Sequence, residues 1–315
     1  MSGQRVNTAS VAARRWPTIG SRMRLTDLAR ARLEQQLAAL CAHEAGAASG
    51  DDPEDVHQMR VATRRLRAAL RVFQALLPPA AADVRLELAW IGGVLGETRD
   101  LDVQIDNLRR TADDLAAEPD AIGPVLCRLA ARQSEARERL RTALASERFA
   151  GLVGGLRALV TEPPAALVDD GLALADQLVR DKHRKLRKAG QQLHPHASPT
   201  AMHRARLRAK RFRYTLECLS PLYGRPAQRM IRRAARLQEV LGVAQDAAVL
   251  RELLSLSSQP EHELPPQSLF LLGQLSEVYA ERLRQARATA PHAYERLLGR
   301  PWKRLKRRAR RCDTA

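Results

Sequence analysis

Residues 52–100 of this sequence recur, in one ungapped register, 146 residues further on. Asp52-Pro53 and Ser198-Pro199 both read as an N-cap followed by proline at the first helical position. At the same offset His57 meets His203, Arg60 meets Arg206, Arg64 meets Lys210, and Arg65 meets Arg211. Arg67 meets Arg213 and Leu70 meets Leu216. The register continues into the following segment, where Val94-Leu95-Gly96 and Asp100 match Val240-Leu241-Gly242 and Asp246. One matching segment could be coincidence in an arginine-rich chain. Two consecutive ones, sharing Pro, His, Gly and Asp, indicate a duplication. Related halves suggest a pseudo-twofold axis, which would let the two His-led segments face one shared site.

Apolar residues recur at three- and four-residue intervals nearly throughout, and no stretch alternates as a strand would. The spacing predicts an all-α chain of about ten helices joined by short loops. Breaks are expected at Gly50–Pro53, Leu77–Pro79, Pro119–Pro124, Glu162–Pro164, Pro195–Pro199, Pro221–Pro226 and Pro260–Pro266.

On a helix from residue 57, His57, Arg60, Arg64, Arg67 and Arg71 form one cationic stripe, while Leu66, Leu70, Phe73 and Leu77 form an apolar arc elsewhere. The second copy places His203, Arg206, Lys210 and Arg213 on the corresponding stripe, with Phe212, Leu216 and Leu219 packing. It departs at Glu217, which stands where the first copy has Arg71, and at Arg208, which replaces Ala62. Like charges three and four residues apart destabilise a helix, and a bound anion would relieve that cost. A further stripe, Arg180, His183, Arg184 and Arg187, lies just upstream with Lys182, Lys185 and Lys188 beside it; Arg22, Arg24, Arg30 and Arg32 form a looser first-half counterpart.

The ordinary reading of any one such helix is a solvated basic face. Repetition and the recurring histidine favour anion binding. His57 and His203 read either as anion ligands or as capping or core histidines; neither has a second ligand four residues on, so no metal site is expected. The segments Leu95-Gly96-x-x-Arg99-Asp100-x-Asp102 and Leu241-Gly242-x-x-Gln245-Asp246 read as helix–helix turns, with Gly after the helix end and Asp capping the next helix or pairing a basic residue. One carboxylate per half is too few for a metal cage. No catalytic residue and no cofactor is expected.

Composition narrows the ligand. Lys and Arg total 53 against 35 Asp and Glu, a formal charge of +18, so polyanions are drawn in. Aromatic residues make up 3% of the chain, few for a protein that stacks bases. Four scattered cysteines, no membrane-spanning apolar run and no secretory signal give a cytoplasmic expectation with no membrane partner.

The run Val56-His57-Gln58-Met59-Arg60-Val61-Ala62-Thr63-Arg64-Arg65-Leu66-Arg67 resembles the first signature of the CHAD family, the conserved histidine α-helical domain. His203-Arg204-Ala205-Arg206-Leu207-Arg208-Ala209-Lys210-Arg211-Phe212-Arg213-Tyr214 is similar to its second, and Leu237-Gln238-Glu239-Val240-Leu241-Gly242-x-x-Gln245-Asp246 to the motif that follows. The resemblance implies two pseudo-symmetric four-helix-bundle-like halves around a central basic groove or pore that binds inorganic polyphosphate. Family members are associated with polyphosphate granules, and some carry a triphosphate-tunnel hydrolase domain, whose ExExK strand motif this sequence lacks.

The expected layout is a flexible basic segment over 1–20, a CHAD-like domain over 21–300 with halves 21–160 and 166–300, and a basic tail over 301–315 that serves as a binding arm or a solubilising end. The expected ligand set is His57, Arg60, Arg64, Arg67, Arg71, His203, Arg206, Lys210 and Arg213, with Arg65, Arg211, Arg180, His183, Arg184 and Arg187 as further contributors. The expected function is non-catalytic polyphosphate binding; the alternative is nucleic-acid binding by the same surface.

Overall fold

The computed structural model describes residues 25–161, 171–257, 264–299 and 301–305. The segments 1–20 and 162–170, and the end of the tail beyond residue 305, lie outside the described residues. What is described is all-α: ten α-helices, and no strand among the described residues. They are α1 (Leu25–Ala42), α2 (Glu44–Ser49), α3 (Pro53–Val72), α4 (Ala81–Asp114), α5 (Pro119–Leu144), α6 (Glu147–Thr161), α7 (Gly171–Gly190), α8 (Pro199–Tyr223), α9 (Arg225–Ser257) and α10 (Pro266–Leu298). A last helical turn covers residues 301–305.

The two His-led segments are α3 and α8, and both start as their sequences dictate. The Asp52 carboxylate accepts from the Glu54 N–H at 2.8 Å, and the Ser198 hydroxyl accepts from the Ala201 N–H at 3.2 Å. Each cap is followed by proline, whose missing N–H costs nothing in a first turn. Each helix then packs against the long helix that follows it, α3 on α4 and α8 on α9, and the two basic helices also pack on each other. The apolar arcs are buried as expected: Leu66 and Leu70 on α3 with Phe73 at its C-terminal cap, and Phe212, Leu216 and Leu219 on α8. The buried side chains form one contiguous core that runs through both halves of the chain. Tyr279 of α10 anchors it to α4, sharing a 3.1 Å hydrogen bond with Thr111 Oγ1 and donating to the Asn107 carbonyl.

Three expectations change. The Gly96 and Gly242 segments are not turns: both glycines and both following aspartates lie inside α4 and α9, which run unbroken. Pro124 and Pro221 lie within helices, and the breaks expected over Pro119–Pro124 and Pro221–Pro226 fall just before Pro119 and at Gly224. The tail opens with structure, because residues 301–305 are helical, Leu305 is buried, and Trp302 packs against the core.

Pro221 shows how a helix tolerates an internal proline. It has no N–H for the carbonyl of Glu217, four residues earlier. Two donors replace it: the Ser220 hydroxyl donates to the Glu217 carbonyl at 3.0 Å, and Arg32 Nη2 of α1 gives that carbonyl a 2.9 Å hydrogen bond and Ser220 Oγ another at 3.1 Å, while Nε donates to the Cys218 carbonyl at 3.4 Å. Burial holds the Arg32 pKa below the ordinary arginine value. Arg32 therefore fastens the first half of the chain to the second and does not extend a cationic stripe. Arg32→Met should cost about 1–2 kcal/mol, since the part-buried Glu217 carbonyl would keep only the Ser220 hydroxyl as donor. Pro221→Ala, which restores an N–H, should recover much of that loss; strictly additive unfolding free energies in the double-mutant cycle would contradict the account.

Candidate anion-binding site

The spacing H-x-x-R on each basic helix finds its complement one helix later. His203 Nδ1 and Gln245 Oε1 are 2.7 Å apart. The corresponding His57 lies half-buried near Arg99, the residue at Gln245's place in the first repeat. Arg60 Nη2 donates to Asp100 Oδ1 at 3.2 Å, and Arg206 faces Asp246. The motif that follows each His helix is thus the surface on which that helix rests. Gly96 and Gly242 keep this surface low: a Cβ at 96 would stand 3.8 Å from Arg60 Nε, and one at 242 would stand 4.0 Å from Arg206 Nε. An alanine fits there; a longer side chain would displace the guanidinium.

The two copies meet at their cations. Lys210 shares its surroundings with Arg64, Arg206, Arg60 and Arg213, which come from both basic helices. Burial, and then those four positive neighbours, push its pKa down to about 7. Arg64 is held below the ordinary arginine value by burial, with Arg60, Arg213 and Arg65 adding to the effect. His57 is likewise held below the usual histidine range, first by burial and then by Arg99. Burial raises the Asp246 carboxyl, and Asp100 adds to that; Arg206 and Arg60 act in the other direction. Asp246 therefore senses the aspartate of the other repeat as well as both arginines.

Tyr214 sits within this cluster, 7% exposed. The guanidiniums of Arg64 and Arg213 lie 5.6 and 5.0 Å from its ring centroid, and its buried hydroxyl has no hydrogen-bond partner among the described residues. Glu217 takes up part of the positive charge, with Oε1 3.2 Å from Arg213 and Oε2 3.9 Å from Arg65. Beyond the centre the cations continue: Arg71 senses Arg85 and Arg67, Arg211 senses Arg208 and Arg71, and Lys182 of α7 meets Arg71 and Arg211.

The structure thus brings together Arg60, Arg64, Arg206, Lys210 and Arg213, flanked by His57 and His203, with Arg65, Arg67, Arg71 and Arg211 adjoining. It does not bring in the stripe on α7. His183 is 8% exposed and stacks on Trp302, with ring centroids 3.6 Å apart and planes 4° from parallel; the Phe212 ring meets it edge-on at 5.9 Å. Its place between the buried Val179 and Leu186 makes it part of α7's apolar stripe, so it is a core residue and no ligand of the groove. Arg180, Arg184 and Arg187 stand on an exposed face, Arg180 paired with Asp176 and Arg184 with Asp181 at 2.8 Å. Lys182, on the flank of that stripe, is the residue that reaches the cationic surface. Sequence reasoning also missed Tyr214, Gln245 and Arg99; the hydrogen bond that gives Gln245 its place joins positions 42 residues apart. Among the described residues no group of three His, Cys, Asp or Glu side chains could hold a metal ion, and no helix is long and apolar enough to cross a membrane. The buried Asp102 is engaged on α5, accepting from Gln133 Nε2 at 2.6 Å and lying 3.4 Å from Arg137 Nη2.

Fold and site together define an all-helical protein whose two basic helices converge on one cationic surface. The chain belongs to the CHAD domain family, which it matches over residues 31–255. It is 34% identical over 226 residues to the uncharacterized proteins MT2285 and Rv2226 of two Mycobacterium tuberculosis strains. The match covers 66% of this chain and 41% of each relative, so the chain spans about two fifths of their length. Among solved structures it resembles the CHAD domain from the plant Ricinus communis, with a TM-score of 0.70, 25% identity, and coverage of 90% of this chain and 94% of that one. PptA from Streptomyces chartreusis shares the fold, with a TM-score of 0.70 at 21% identity over 89% of this chain and all of PptA.

Lys210 makes the cost of the cluster measurable. Its folded pKa lies below its unfolded one, so between about pH 7 and pH 10.4 the unfolded chain holds a proton that the folded chain lacks, and stability rises with pH in that window. In ligand-free protein the rise should reach roughly 1 kcal/mol per pH unit at its steepest. Lys210→Met should remove this component, seen as a flatter dependence of unfolding free energy on pH. Equal slopes in the two proteins would contradict the assignment.

Proposed function

We propose that this chain binds inorganic polyphosphate, without catalysing a reaction on it, through the surface formed by α3 and α8. The observation that carries the reading is the convergence of Arg60, Arg64, Arg206, Lys210 and Arg213 at half-buried positions, where burial and mutual repulsion already depress Lys210 and Arg64. Such a surface is costly until an anion arrives. Polyphosphate is a flexible chain of dense charge with no bases to read, so arginine forks and a lysine point charge match it without shape recognition. The Tyr214 hydroxyl, buried beside Arg64 and Arg213 and without a hydrogen-bond partner among the described residues, would be a further donor to a phosphate oxygen once an anion opens the cluster. Membership of the CHAD domain family points the same way. Binding of this kind suits attachment to polyphosphate granules.

The absence of a catalytic role is part of the proposal. Asp100 is engaged by Arg60, and Asp246 faces Arg206, so the carboxylates beside the cations hold guanidiniums in place. Nucleic acid would meet the same charges. The aromatic ring in the cluster, Tyr214, lies against two guanidiniums and offers no open face for a base.

The test is a titration with polyphosphate of defined length at two salt concentrations, with heparin and RNA as controls. Affinity should fall steeply with salt, since each phosphate contact releases counterions, and polyphosphate should displace RNA far more readily than the reverse. Arg60→Glu, Arg64→Glu, Arg206→Glu and Lys210→Glu together should abolish binding in a protein that keeps its helical signal. Tight polyphosphate binding by that variant, or RNA outcompeting polyphosphate, would overturn the reading.

A further inference from the structure

A second cationic cavity lies away from the α3–α8 surface. Its volume is about 440 Å³, and it is lined by Pro226, Arg229, Arg232 and Arg233 from the start of α9, and by Pro301 and Arg304 from the last helical turn. The Arg233 side chain is fixed by donating from Nη1 to the Arg296 carbonyl near the end of α10. Arg229, Arg232 and Arg304 have no carboxylate partner among the described residues, although elsewhere on the surface Arg139, Arg148 and Arg284 find one. The turn that brings Arg304 to the cavity is itself held down, by Trp302 on His183 and by the buried Leu305. The cavity wall is therefore part of the packed structure.

The internal repeat supplies a control. At the 146-residue offset the apolar core positions of α9 and α4 correspond: Ala227 with Ala81, Met230 with Val84, Leu237 with Ile91, and Leu241 with Leu95, all buried. At the same offset Arg229, Arg232 and Arg233 correspond to Asp83, Leu86 and Glu87. Leu86 is 64% exposed, and Glu87 is paired with Arg148. Packing is matched in the two copies while charge is reversed at two of the three positions and absent at Leu86, so the arginine cluster is not a consequence of the helix's structural role.

From this we infer that the cavity is a separate site for a short condensed phosphate, taken either as a free oligophosphate or as the phosphate chain of a nucleotide. Convergent guanidiniums on two walls suit bidentate contacts to successive phosphoryl groups, and the volume lies within the range of small-ligand sites. None of its lining residues is aromatic, and the neighbouring Trp302 ring is already stacked, so nothing in the lining would hold a base. Along α9, Arg229 is about 24 Å from Gln245, the level at which His203 rests on that helix, at 1.5 Å per residue.

The experiment is calorimetric titration of the full chain with tripolyphosphate at about 0.15 M salt. A groove variant, Arg64→Glu with Lys210→Glu, is expected to retain one saturable class of binding. Adding Arg232→Glu and Arg304→Glu, both at exposed positions, should weaken that class at least tenfold, with the circular dichroism spectrum unchanged. The milder pair Arg229→Gln and Arg232→Gln should weaken it in the same direction. If the groove variant binds no tripolyphosphate, or binds it undiminished after the second pair of changes, the site does not exist as described. Wild-type binding that responds to the Arg232/Arg304 pair but not to the Arg64/Lys210 pair would support the cavity while removing the groove reading. ATP as competitor separates the sources: an affinity tenfold above tripolyphosphate indicates a nucleotide ligand, and an equal or lower affinity indicates the phosphate chain alone.

Discussion

Two arginine-rich helices, α3 and α8, pack against each other, and their cations share one half-buried space. Like charges a turn apart already destabilise an isolated helix by a few tenths of a kcal/mol per pair. Bringing a second such helix alongside, in surroundings with less water, raises the cost further. The rest of the molecule accommodates this repulsion. Helices α4 and α9 each run more than thirty residues without a break, so each basic helix has a rigid surface to rest on. The low positions at Gly96 and Gly242 let the guanidiniums lie flat, and Asp100 and Asp246 offset part of their charge.

The same logic explains departures from exact repetition. Glu217 stands where the first copy has Arg71, and it takes up charge from Arg213 and Arg65. The carbonyl of Glu217 lacks its usual donor because of Pro221, and Arg32, from the first half of the chain, joins the Ser220 hydroxyl in filling that role. One residue of the second copy thus receives two guanidiniums at its side chain and a third at its backbone, which ties the two halves together next to the cationic surface. The aromatic group of His183, Phe212 and Trp302 closes the other side of α8.

Much of this could be read from the sequence because it rests on short-range pattern. Helical periodicity, the caps at Asp52 and Ser198, and the apolar arcs of α3 and α8 depend on spacings of a few residues. The convergence of Arg60, Arg64, Arg206, Lys210 and Arg213 was inferable from the repeat. What pattern could not supply were contacts decided by distant neighbours. Gly96 and Asp100 carry a turn's composition, yet α3 and α5 pack along α4 and keep it helical. His183 shares a face with three arginines, yet Trp302, more than a hundred residues later, claims its ring. Arg32 looked like one more surface cation because the proline that needs it is 189 positions away.

If the surface is held in a state of charge that an anion completes, binding must change protonation. At pH 8 the free protein should carry Lys210 largely neutral, its pKa being about 7, and polyphosphate should restore the charge. Calorimetric titration of polyphosphate in two buffers of different ionisation enthalpy at pH 8 measures this directly. The account predicts net uptake approaching one proton per chain, lost in Lys210→Arg while binding persists. Tight binding with no proton uptake in the wild-type protein would contradict it.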